Sequence, residues 1–210
     1  MPPTFRRHPY LMVAAVIGIV ILIDQSIKIW VKTNMLYGEE FFVFGLPWFR
    51  IHFVENEGMA YGIQLGGKFG KLLLTLFRYV AVGLLLWMLH HFIRKKYPMG
   101  MLFFFALIIG GAIGNLIDST FYGLIFNHST YHGPAAELFP KEGGYAGLFY
   151  GKVVDMFYFP LIDTRLPEWI PFIGGNRFRF FEPVFNFADT CITTGVIGLL
   201  LFYRRYLFYK

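Results

Sequence analysis

The sequence is poor in charged residues and contains a single cysteine. Only 15% of its 210 residues are Asp, Glu, Lys or Arg, whereas 56% are hydrophobic and 20% are aromatic. This composition is too apolar for an ordinary soluble domain, so a membrane is the expected solvent. The single cysteine, Cys191, excludes a disulfide framework within the chain, and we expect it to be a small core residue.

Few residues could act as a nucleophile or as a metal ligand. The chain has three serines: Ser26, Ser119 and Ser129. None lies in a Gly-x-Ser-x-Gly motif, and Ser26 and Lys28 would face different sides of a helix, which disfavours a Ser/Lys dyad. His128 and His132 have helical spacing, but no His-Glu-x-x-His motif surrounds them. Serine catalysis and a metal site are therefore not expected.

Four long apolar segments predict transmembrane helices, at about 10–31, 72–93, 101–126 and 184–203. Each has roughly the 20 residues needed to cross a bilayer. The first is too long for a removed signal peptide and lacks a small-residue cleavage site, so we interpret it as a retained anchor. We expect one integral membrane domain, α-helical and polytopic, with extracytoplasmic segments at about 32–71 and 127–183.

The basic residues predict the orientation in the membrane. Eight of them flank the helices on one side with no acid among them: Arg6, Arg7, Arg94, Lys95, Lys96, Arg204, Arg205 and Lys210. Because cytoplasmic loops carry excess Lys and Arg, both termini are expected in the cytoplasm. Bases that line one membrane face do not indicate nucleic-acid binding, despite the net charge of +6. Arg78, within the second helix, is interpreted as snorkelling towards the outer surface.

The outer connections predict a small β region. Phe41–Phe44 and Phe49–Val54 have the composition of short strands, separated by the turn residues Gly45-Leu46-Pro47. The second connection mixes Gly and Pro with aromatic residues. We expect its apolar stretches, 166–173 and 178–181, to lie on the bilayer or on the rest of the protein.

Ionisable residues at membrane depth mark candidate sites, since each costs about 2.5–3.5 kcal/mol on insertion scales. Asp24 and Lys28 are one helical turn apart, and this pair either fixes helix packing or helps to bind a substrate. Asn115 and Asp118 share one face of the third helix, beside small residues that allow close helix approach. We interpret Asp118 as a polar contact between helices.

Two further aspartates border the outer interface. Asp155 lies in an apolar run, 153–159, that returns towards the membrane, and nothing adjacent in sequence neutralises it. Asp189 follows Asn186 at the start of the fourth helix, and Asn186 can cap this helix. Considered by itself, Asp189 is explained as a carboxylate in the first turn, where the helix dipole favours it. If the two carboxyl groups meet, they would share one proton, which is the state that peptide hydrolysis needs. The sequence does not show that they meet.

Five motifs occur in the order found in one family: Asp24-Gln-Ser-Ile-Lys28, Asn56-Glu-Gly-Met-Ala60-Tyr61, Gly110-Gly-Ala-Ile-Gly-Asn-Leu-Ile-Asp118, Val153-Val-Asp155-Met-Phe and Phe185-Asn-Phe-Ala-Asp189. On these motifs the chain resembles the lipoprotein signal peptidases, also called type II signal peptidases, over nearly its whole length. The resemblance implies an aspartic endopeptidase of the bacterial cytoplasmic (inner) membrane, with its active site near the outer face. It would cut prolipoproteins before a cysteine that carries diacylglycerol.

The resemblance also implies roles for individual residues. The catalytic pair would be Asp155 and Asp189. The residues that line or shape the substrate site would be Asn56, Gly58, Ala60, Asn115, Asp118, Asn186 and Ala188, with Asp24 and Lys28 as a supporting pair. It implies no metal and no organic cofactor. The expected partners are prolipoprotein substrates and membrane lipids, and the chain is expected to act as a monomer.

The chain departs from the family pattern in two ways. The family usually has Arg directly after the third-helix aspartate, whereas this chain has Ser119. Four bases could replace that Arg, and the sequence does not choose among Arg78, Lys152, Arg177 and Arg179. The second departure is an insertion at 127–152, which could be a lid, a partner-binding element or an addition specific to this lineage.

Two other functions are compatible with the composition. A transporter or proton channel would place acids through the depth of the bilayer, whereas here nearly all of them border the outer face. A structural assembly subunit would keep its function when Asp155 or Asp189 is replaced by Asn.

Overall fold

The computed structural model describes residues 8–57, 67–180 and 182–208. Within these ranges three helices are long and apolar enough to cross a membrane: α1 (Pro9–Asn34), α2 (Gly67–Arg94) and α3 (Met99–Ile117, continuing to Ile125). A shorter apolar helix, α4, spans Phe187–Phe202, and α5 (Arg204–Phe208) follows it. The expected helical membrane fold is confirmed, while the positions of the membrane boundaries stay predictions.

The core lies where α3 contacts α1, α2 and α4. Met101 and Ile109 of α3 are completely buried, and Met12 of α1, Ile93 of α2 and Leu199 of α4 pack into the same cluster. The apolar residues of α1 and α2 on the opposite side are exposed, as expected for side chains that face lipid. Helix α3 is therefore the central scaffold of the bundle.

Glycines on α3 allow the neighbouring helices to approach closely, as the sequence predicts. A Cβ atom at Gly110 would lie 2.9 Å from the Cβ of Val20 on α1. A Cβ atom at Gly111 would meet the backbone carbonyl oxygen of Ala188 on α4, which cannot move as a flexible side chain can. These contacts bring the start of α4 directly against α3.

The described part of the connections contains six strands: β1 (Glu40–Phe42), β2 (Arg50–Asn56), β3 (Val153–Tyr158), β4 (Ile162–Arg165), β5 (Arg177–Phe180) and β6 (Val184–Phe185). Four of them form an antiparallel sheet in the order β1-β2-β3-β6, and β4 and β5 form a separate hairpin. In the sheet Val54 lies opposite Asp155, and Phe157 lies opposite Phe185. The sheet thus joins the strand that carries Asp155 to the segment that leads into α4.

At two of the predicted boundaries the residues adopt a different type of backbone conformation from the one predicted. The predicted strand Phe41–Phe44 ends at Phe42, because Val43–Gly45 forms a 3-10 turn in which Phe44 has a φ of 52°. The fourth helix does not begin at Val184, since Val184–Phe185 pairs with β3 and the helix begins at Phe187. In both places apolar residues lie on either side of the boundary, so hydrophobicity does not mark where the backbone conformation changes.

The insertion, residues 127–152, packs along the end of α3 and is called the strap below. Helix α3 ends in a π-helical turn, Asp118–Tyr122, which leaves carbonyl groups that need donors. Five strap N–H groups donate to carbonyl oxygens at this end: Phe139 to Ile125, Tyr145 to Phe126, Ala146 to Gly123, Phe149 to Thr120 and Gly151 to Ser119. The strap is therefore an integral part of the fold around the end of α3.

The loop between β4 and β5 exposes large apolar side chains. Trp169 is 81% exposed and Phe172 is fully exposed. These two side chains do not pack on the described part of the protein, and the alternative that this stretch lies on the bilayer stays a prediction.

Candidate active site

Asp155 lies on β3 with its carboxylate buried between two asparagines. The Asn56 side chain on β2 donates a 3.1 Å hydrogen bond to Oδ2 of Asp155, and the Asn186 side chain donates a 2.7 Å hydrogen bond to Oδ1. Only 3% of Asp155 is exposed. Both carboxylate oxygens therefore have donors, while the apolar strand around them keeps out most of the water.

Asp189 lies in the first turn of α4, as the sequence predicts. Asn186 is the N-cap, and its side-chain oxygen accepts a 2.9 Å hydrogen bond from the backbone N–H of Asp189. The Asp189 carboxylate accepts in return from the backbone N–H of Asn186 at 3.3 Å, which completes a capping box. The Asn115 side chain on α3 donates a further hydrogen bond to Asp189, at 2.8 Å.

A single residue, Asn186, links the two candidate catalytic carboxyl groups. Its amide nitrogen binds Asp155 while its oxygen caps the turn that holds Asp189. The same nitrogen donates to the side-chain oxygen of Asn115 at 3.1 Å, and Asn115 binds Asp189. The structure therefore brings together Asp155, Asp189 and two asparagines that the resemblance assigns to the site.

The ammonium group of Lys28 lies at the centre of a buried ionic cluster beside this site. Lys28 contacts Asp24 at 2.9 Å and Asp118 at 2.8 Å, and all three side chains are fully buried. It also donates to the side-chain oxygen of Asn115 at 2.8 Å. Buried charges are tolerated only when they are paired and hydrogen-bonded, so this cluster depends on every one of its members.

The two acids of the cluster hold the backbone on either side of the site. Asp24 accepts a 2.9 Å hydrogen bond from the backbone N–H of Ala188, at the start of α4. Asp118 accepts a 3.2 Å hydrogen bond from the backbone N–H of Val154, next to Asp155 on β3. Asp118 thus makes the contact between elements that we expected, and it also fixes the strand that carries Asp155.

Gln25 is a member of this network that the sequence analysis did not single out. Its side chain donates to Asp118 at 2.9 Å and accepts a 3.1 Å hydrogen bond from the hydroxyl group of Tyr122. A polar amide at membrane depth beside Asp24 was the signal that could have identified it. Gly58 and Ala60, which the resemblance assigns to the site, lie outside the residues that the structure describes.

Burial raises the pKa of Asp155 to about 7, from an ordinary value of 3.8. The next cause is the negative charge of Asp189, which disfavours a second charge nearby, whereas the hydrogen bonds from Asn56 and Asn186 act in the opposite direction. Near neutral pH the Asp155 carboxyl group can therefore carry a proton, unlike an ordinary aspartate.

Arg78 does not snorkel to the surface as we predicted from the sequence. Its guanidinium group donates to the hydroxyl group of Ser119, which is fully buried at the end of α3. The carboxylates of Asp118, Asp189 and Asp155 attract its positive charge. The arginine thus contacts Ser119, the residue that stands where the resemblance leads us to expect an Arg.

Comparison with known proteins identifies the family of the chain. The family model of signal peptidase (SPase) II matches residues 16–205. The lipoprotein signal peptidase of Porphyromonas gingivalis is 54% identical over 195 residues, covering 92% of this chain and 83% of that protein. The lipoprotein signal peptidase of Amoebophilus asiaticus is 36% identical over 184 residues, covering 86% and 72%.

Solved structures also match, although at low sequence identity. Two structures of bacterial membrane enzymes, determined by the in meso method, have TM-scores of 0.58 and 0.57 and are 23% identical in sequence. The matches cover 94% of this chain and 91% and 93% of those chains, which shows a common fold. By its family model and its relatives, this chain is a member of the signal peptidase II family.

Proposed function

We propose that the chain is an intramembrane aspartic endopeptidase that removes the signal peptide from diacylglyceryl-modified prolipoproteins. Asp155 and Asp189 would be its catalytic pair, and the cut would fall before the lipid-modified cysteine. Membership of the signal peptidase II family supports the peptidase activity and the prolipoprotein substrate. The aspartic mechanism and the cleavage site are the additional steps of the proposal.

The observation that carries the aspartic mechanism is the link through Asn186. Asp155 comes from a strand and Asp189 from a helix, yet one asparagine side chain binds the first and caps the turn of the second. An asparagine that served only as a helix cap would not need to bind a buried carboxyl group as well. This arrangement supports two carboxyl groups that act on one peptide bond.

The different surroundings of the two carboxyl groups suggest different roles. Asp155 is buried, its pKa is raised to about 7, and it is suited to carry the shared proton. Asp189 is only half-buried and lies at the N-terminus of α4, where the helix dipole favours a negative charge. We assign Asp189 as the general base and Asp155 as the general acid of the resting enzyme.

The reaction then proceeds in two proton transfers. Asp189 takes a proton from a water molecule as the water oxygen bonds to the carbonyl carbon of the scissile peptide. Asp155 gives its proton to the peptide nitrogen as the carbon–nitrogen bond breaks, so the amine leaves neutral and the acid product forms. Proton transfer from Asp189 to Asp155 restores the starting state. One water is consumed for each bond that is cut.

The remaining site residues would position these groups. Asn56 and Asn115 orient the two carboxyl groups through direct hydrogen bonds. The Asp24–Lys28–Asp118 cluster holds the backbone at Ala188 and Val154. Gly58 and Ala60 are assigned to the substrate site on the resemblance alone.

The membrane would align the substrate with the site. The diacylglycerol chains and the signal helix would both lie in the bilayer, which would restrict the orientations that the scissile bond can adopt. Both termini would face the cytoplasm and the site would face the outer side, in agreement with the distribution of basic residues.

The test is cleavage of a diacylglyceryl-modified prolipoprotein by the purified protein in detergent. Asp155→Asn and Asp189→Asn should each lower the rate by at least about 10²-fold, because each removes one proton-transfer group. The matched control is Glu142→Gln, which removes an exposed acid from the strap and should cleave normally. Cleavage that survives Asp155→Asn or Asp189→Asn would remove that residue from the mechanism. A folded wild type that does not cleave would favour a transporter.

A further inference from the structure

Helix α2 carries a polar stripe that faces the site. Lys71, Thr75 and Arg78 follow the i, i+4, i+7 spacing of one helical face, while most of the helix is apolar. Lys71 donates to the backbone carbonyl of Glu57 at 2.6 Å, and Thr75 donates to the backbone carbonyl of Phe149 at 3.0 Å. The stripe therefore follows the inner surface of the protein and does not face lipid.

Arg78 is connected to Asp189 through three consecutive contacts. Its guanidinium group donates to the hydroxyl group of Ser119, and that hydroxyl donates a 3.0 Å hydrogen bond to the backbone carbonyl of Asn115. The side chain of Asn115 then donates to Asp189 at 2.8 Å. The arginine thus contacts Ser119, which is hydrogen-bonded in turn to Asn115, the residue that orients the proposed general base.

The acids around the site carry more negative charge than Lys28 alone can balance. Lys28 is already shared by Asp24 and Asp118. The carboxylates that attract Arg78 are those of Asp118, Asp189 and Asp155, in that order. Without the charge of Arg78, the ionised member of the catalytic pair would lie in an apolar setting with too little compensation.

The titratable groups that interact electrostatically with Arg78 come from four elements: Lys71 on α2 itself, Asp118 on α3, Asp155 on β3 and Asp189 on α4. Further out, Asp24 and Lys28 pair with Asp118 or with each other, and Glu57 and Lys152 act on Lys71. Of these only the catalytic pair has to change its protonation during the proposed reaction. A change in the charge at residue 78 should therefore appear in the pH dependence of catalysis.

We propose that Arg78 is a positioning residue of the peptidase site, which provides from α2 the second positive charge that keeps one catalytic carboxylate ionised and which anchors Asn115 through Ser119. This inference rests on the proposed function of Asp155 and Asp189. It gives Ser119 a role as the acceptor for an arginine that comes from another helix.

Arginine fits this role better than lysine. The guanidinium group stays charged at any pH that the protein experiences, and it has several donors in a fixed plane. It can therefore donate a hydrogen bond to Ser119 while its positive charge still attracts the nearby carboxylates. A lysine at residue 78 would keep the charge but would offer a more compact and more strongly hydrated group.

The experiment compares pH profiles of prolipoprotein cleavage for Arg78→Gln, Arg78→Lys, Ser119→Ala and the exchange Arg78→Ser with Ser119→Arg. The matched control is Arg94→Gln, which removes the same charge from an exposed position on the same helix. Folding is checked for each variant by its thermal unfolding in detergent. Asp155→Asn and Asp189→Asn are measured in parallel, so that failure of the proposed function is recognised separately.

Arg78→Gln should lower kcat/KM at least about tenfold and move the pH optimum upwards by about half to one unit, because the loss of a nearby cation raises carboxyl pKa values. Arg78→Lys should keep the wild-type optimum with reduced kcat. Ser119→Ala should lower kcat without moving the optimum. The exchange variant should return the optimum to its wild-type position, and Arg94→Gln should behave as the wild type.

The proposal is wrong if Arg78→Gln keeps the wild-type optimum while Asp155→Asn and Asp189→Asn are inactive. It is also wrong if Arg94→Gln moves the optimum equally, since the effect would then be one of net charge. If Arg78→Gln does not fold, the exchange variant decides: a wild-type optimum supports the proposal, and a shifted optimum overturns it. If the Asp155 and Asp189 variants still cleave, it is the proposed function that fails.

Discussion

Asn186 donates a 2.7 Å hydrogen bond to the carboxylate of Asp155, although the two residues belong to different elements. The same side chain caps α4 by accepting from the backbone N–H of Asp189. One residue therefore couples the start of a helix to the geometry of a buried carboxyl group.

Replacement of Asn186 by Ala should affect stability and catalysis together. Loss of the cap should lower the free energy of unfolding by about 1 kcal/mol, and loss of the bond to Asp155 should lower kcat at least about tenfold. Thermal unfolding and prolipoprotein cleavage measure the two effects. Asn34→Ala, at an exposed position on α1, is the control. An Asn186→Ala protein that is less stable but cleaves at the normal rate would restrict Asn186 to capping.

The pH dependence of cleavage should show the raised pKa of Asp155. If Asp155 must give a proton, kcat/KM should fall above pH 7, about tenfold for each further pH unit. A profile measured from pH 5 to pH 9 on a substrate without groups that titrate in this range tests the assignment. A flat profile up to pH 9 would show that Asp155 is not the acid that limits the rate.

The same pKa predicts how stability depends on pH. Between about pH 4 and pH 7 the folded state binds more protons at Asp155 than the unfolded state does, so Asp155 makes the protein less stable as the pH rises. The full effect is on the order of 4 kcal/mol, from a shift of about three pKa units. Unfolding of the wild type and of Asp155→Asn across this range should diverge as the pH rises. Parallel curves would contradict the raised pKa.

Lys28→Met should be strongly destabilising. The change leaves Asp24 and Asp118 buried without their cation, which should lower the free energy of unfolding by about 3–5 kcal/mol. Lys68→Met, at an exposed position on α2, should change it little. The triple variant Asp24→Asn, Lys28→Met and Asp118→Asn should recover most of the loss, because no unpaired charge remains. If the triple variant is no more stable than Lys28→Met, the charges are not the cause.

Gly111→Ala should displace the start of α4. The added Cβ would meet the carbonyl oxygen of Ala188, and overpacking of this kind lowers the free energy of unfolding by about 1–3 kcal/mol. Because Asp189 follows Ala188 directly, cleavage should fall as well. Gly83→Ala on α2 is the matched control, since a Cβ there meets nothing within 4 Å. Equal effects of the two changes would exclude close packing as the reason for Gly111.

Local patterns predicted the helices and the cap, because both depend on neighbouring residues. The apolar runs around Leu11 and Leu102 have the length of a membrane span, and the Asn186–Asp189 spacing has the form of a capping box. The pattern failed at Val184, where an apolar residue pairs with a strand before the helix begins. Hydrophobicity alone does not distinguish a short buried strand from the first turn of a helix.

The arrangement of the site could not be derived from local patterns. Asn56 and Asp155 are separated by 99 positions, and their contact depends on the register of β2 against β3. The direction of Arg78 likewise depends on which helix lies beside α2, which a single helical pattern does not specify. The i, i+4, i+7 spacing of Lys71, Thr75 and Arg78 is present in the sequence, but the sequence analysis did not use it.

The contacts between the strap and the end of α3 limit how this sequence could have evolved. The backbone N–H groups of the strap satisfy five carbonyl groups at the end of that helix, including those of Ser119 and Thr120 in the π-helical turn. Deletion of residues 127–152 alone would leave those carbonyl groups without their donors, even if the chain could still reach β3. A chain with a shorter connection would need other donors for these carbonyl groups, such as water, or a different end to this helix. The strap and the helix end therefore depend on each other, and a chimera that transfers only one of them should be less stable than one that transfers both.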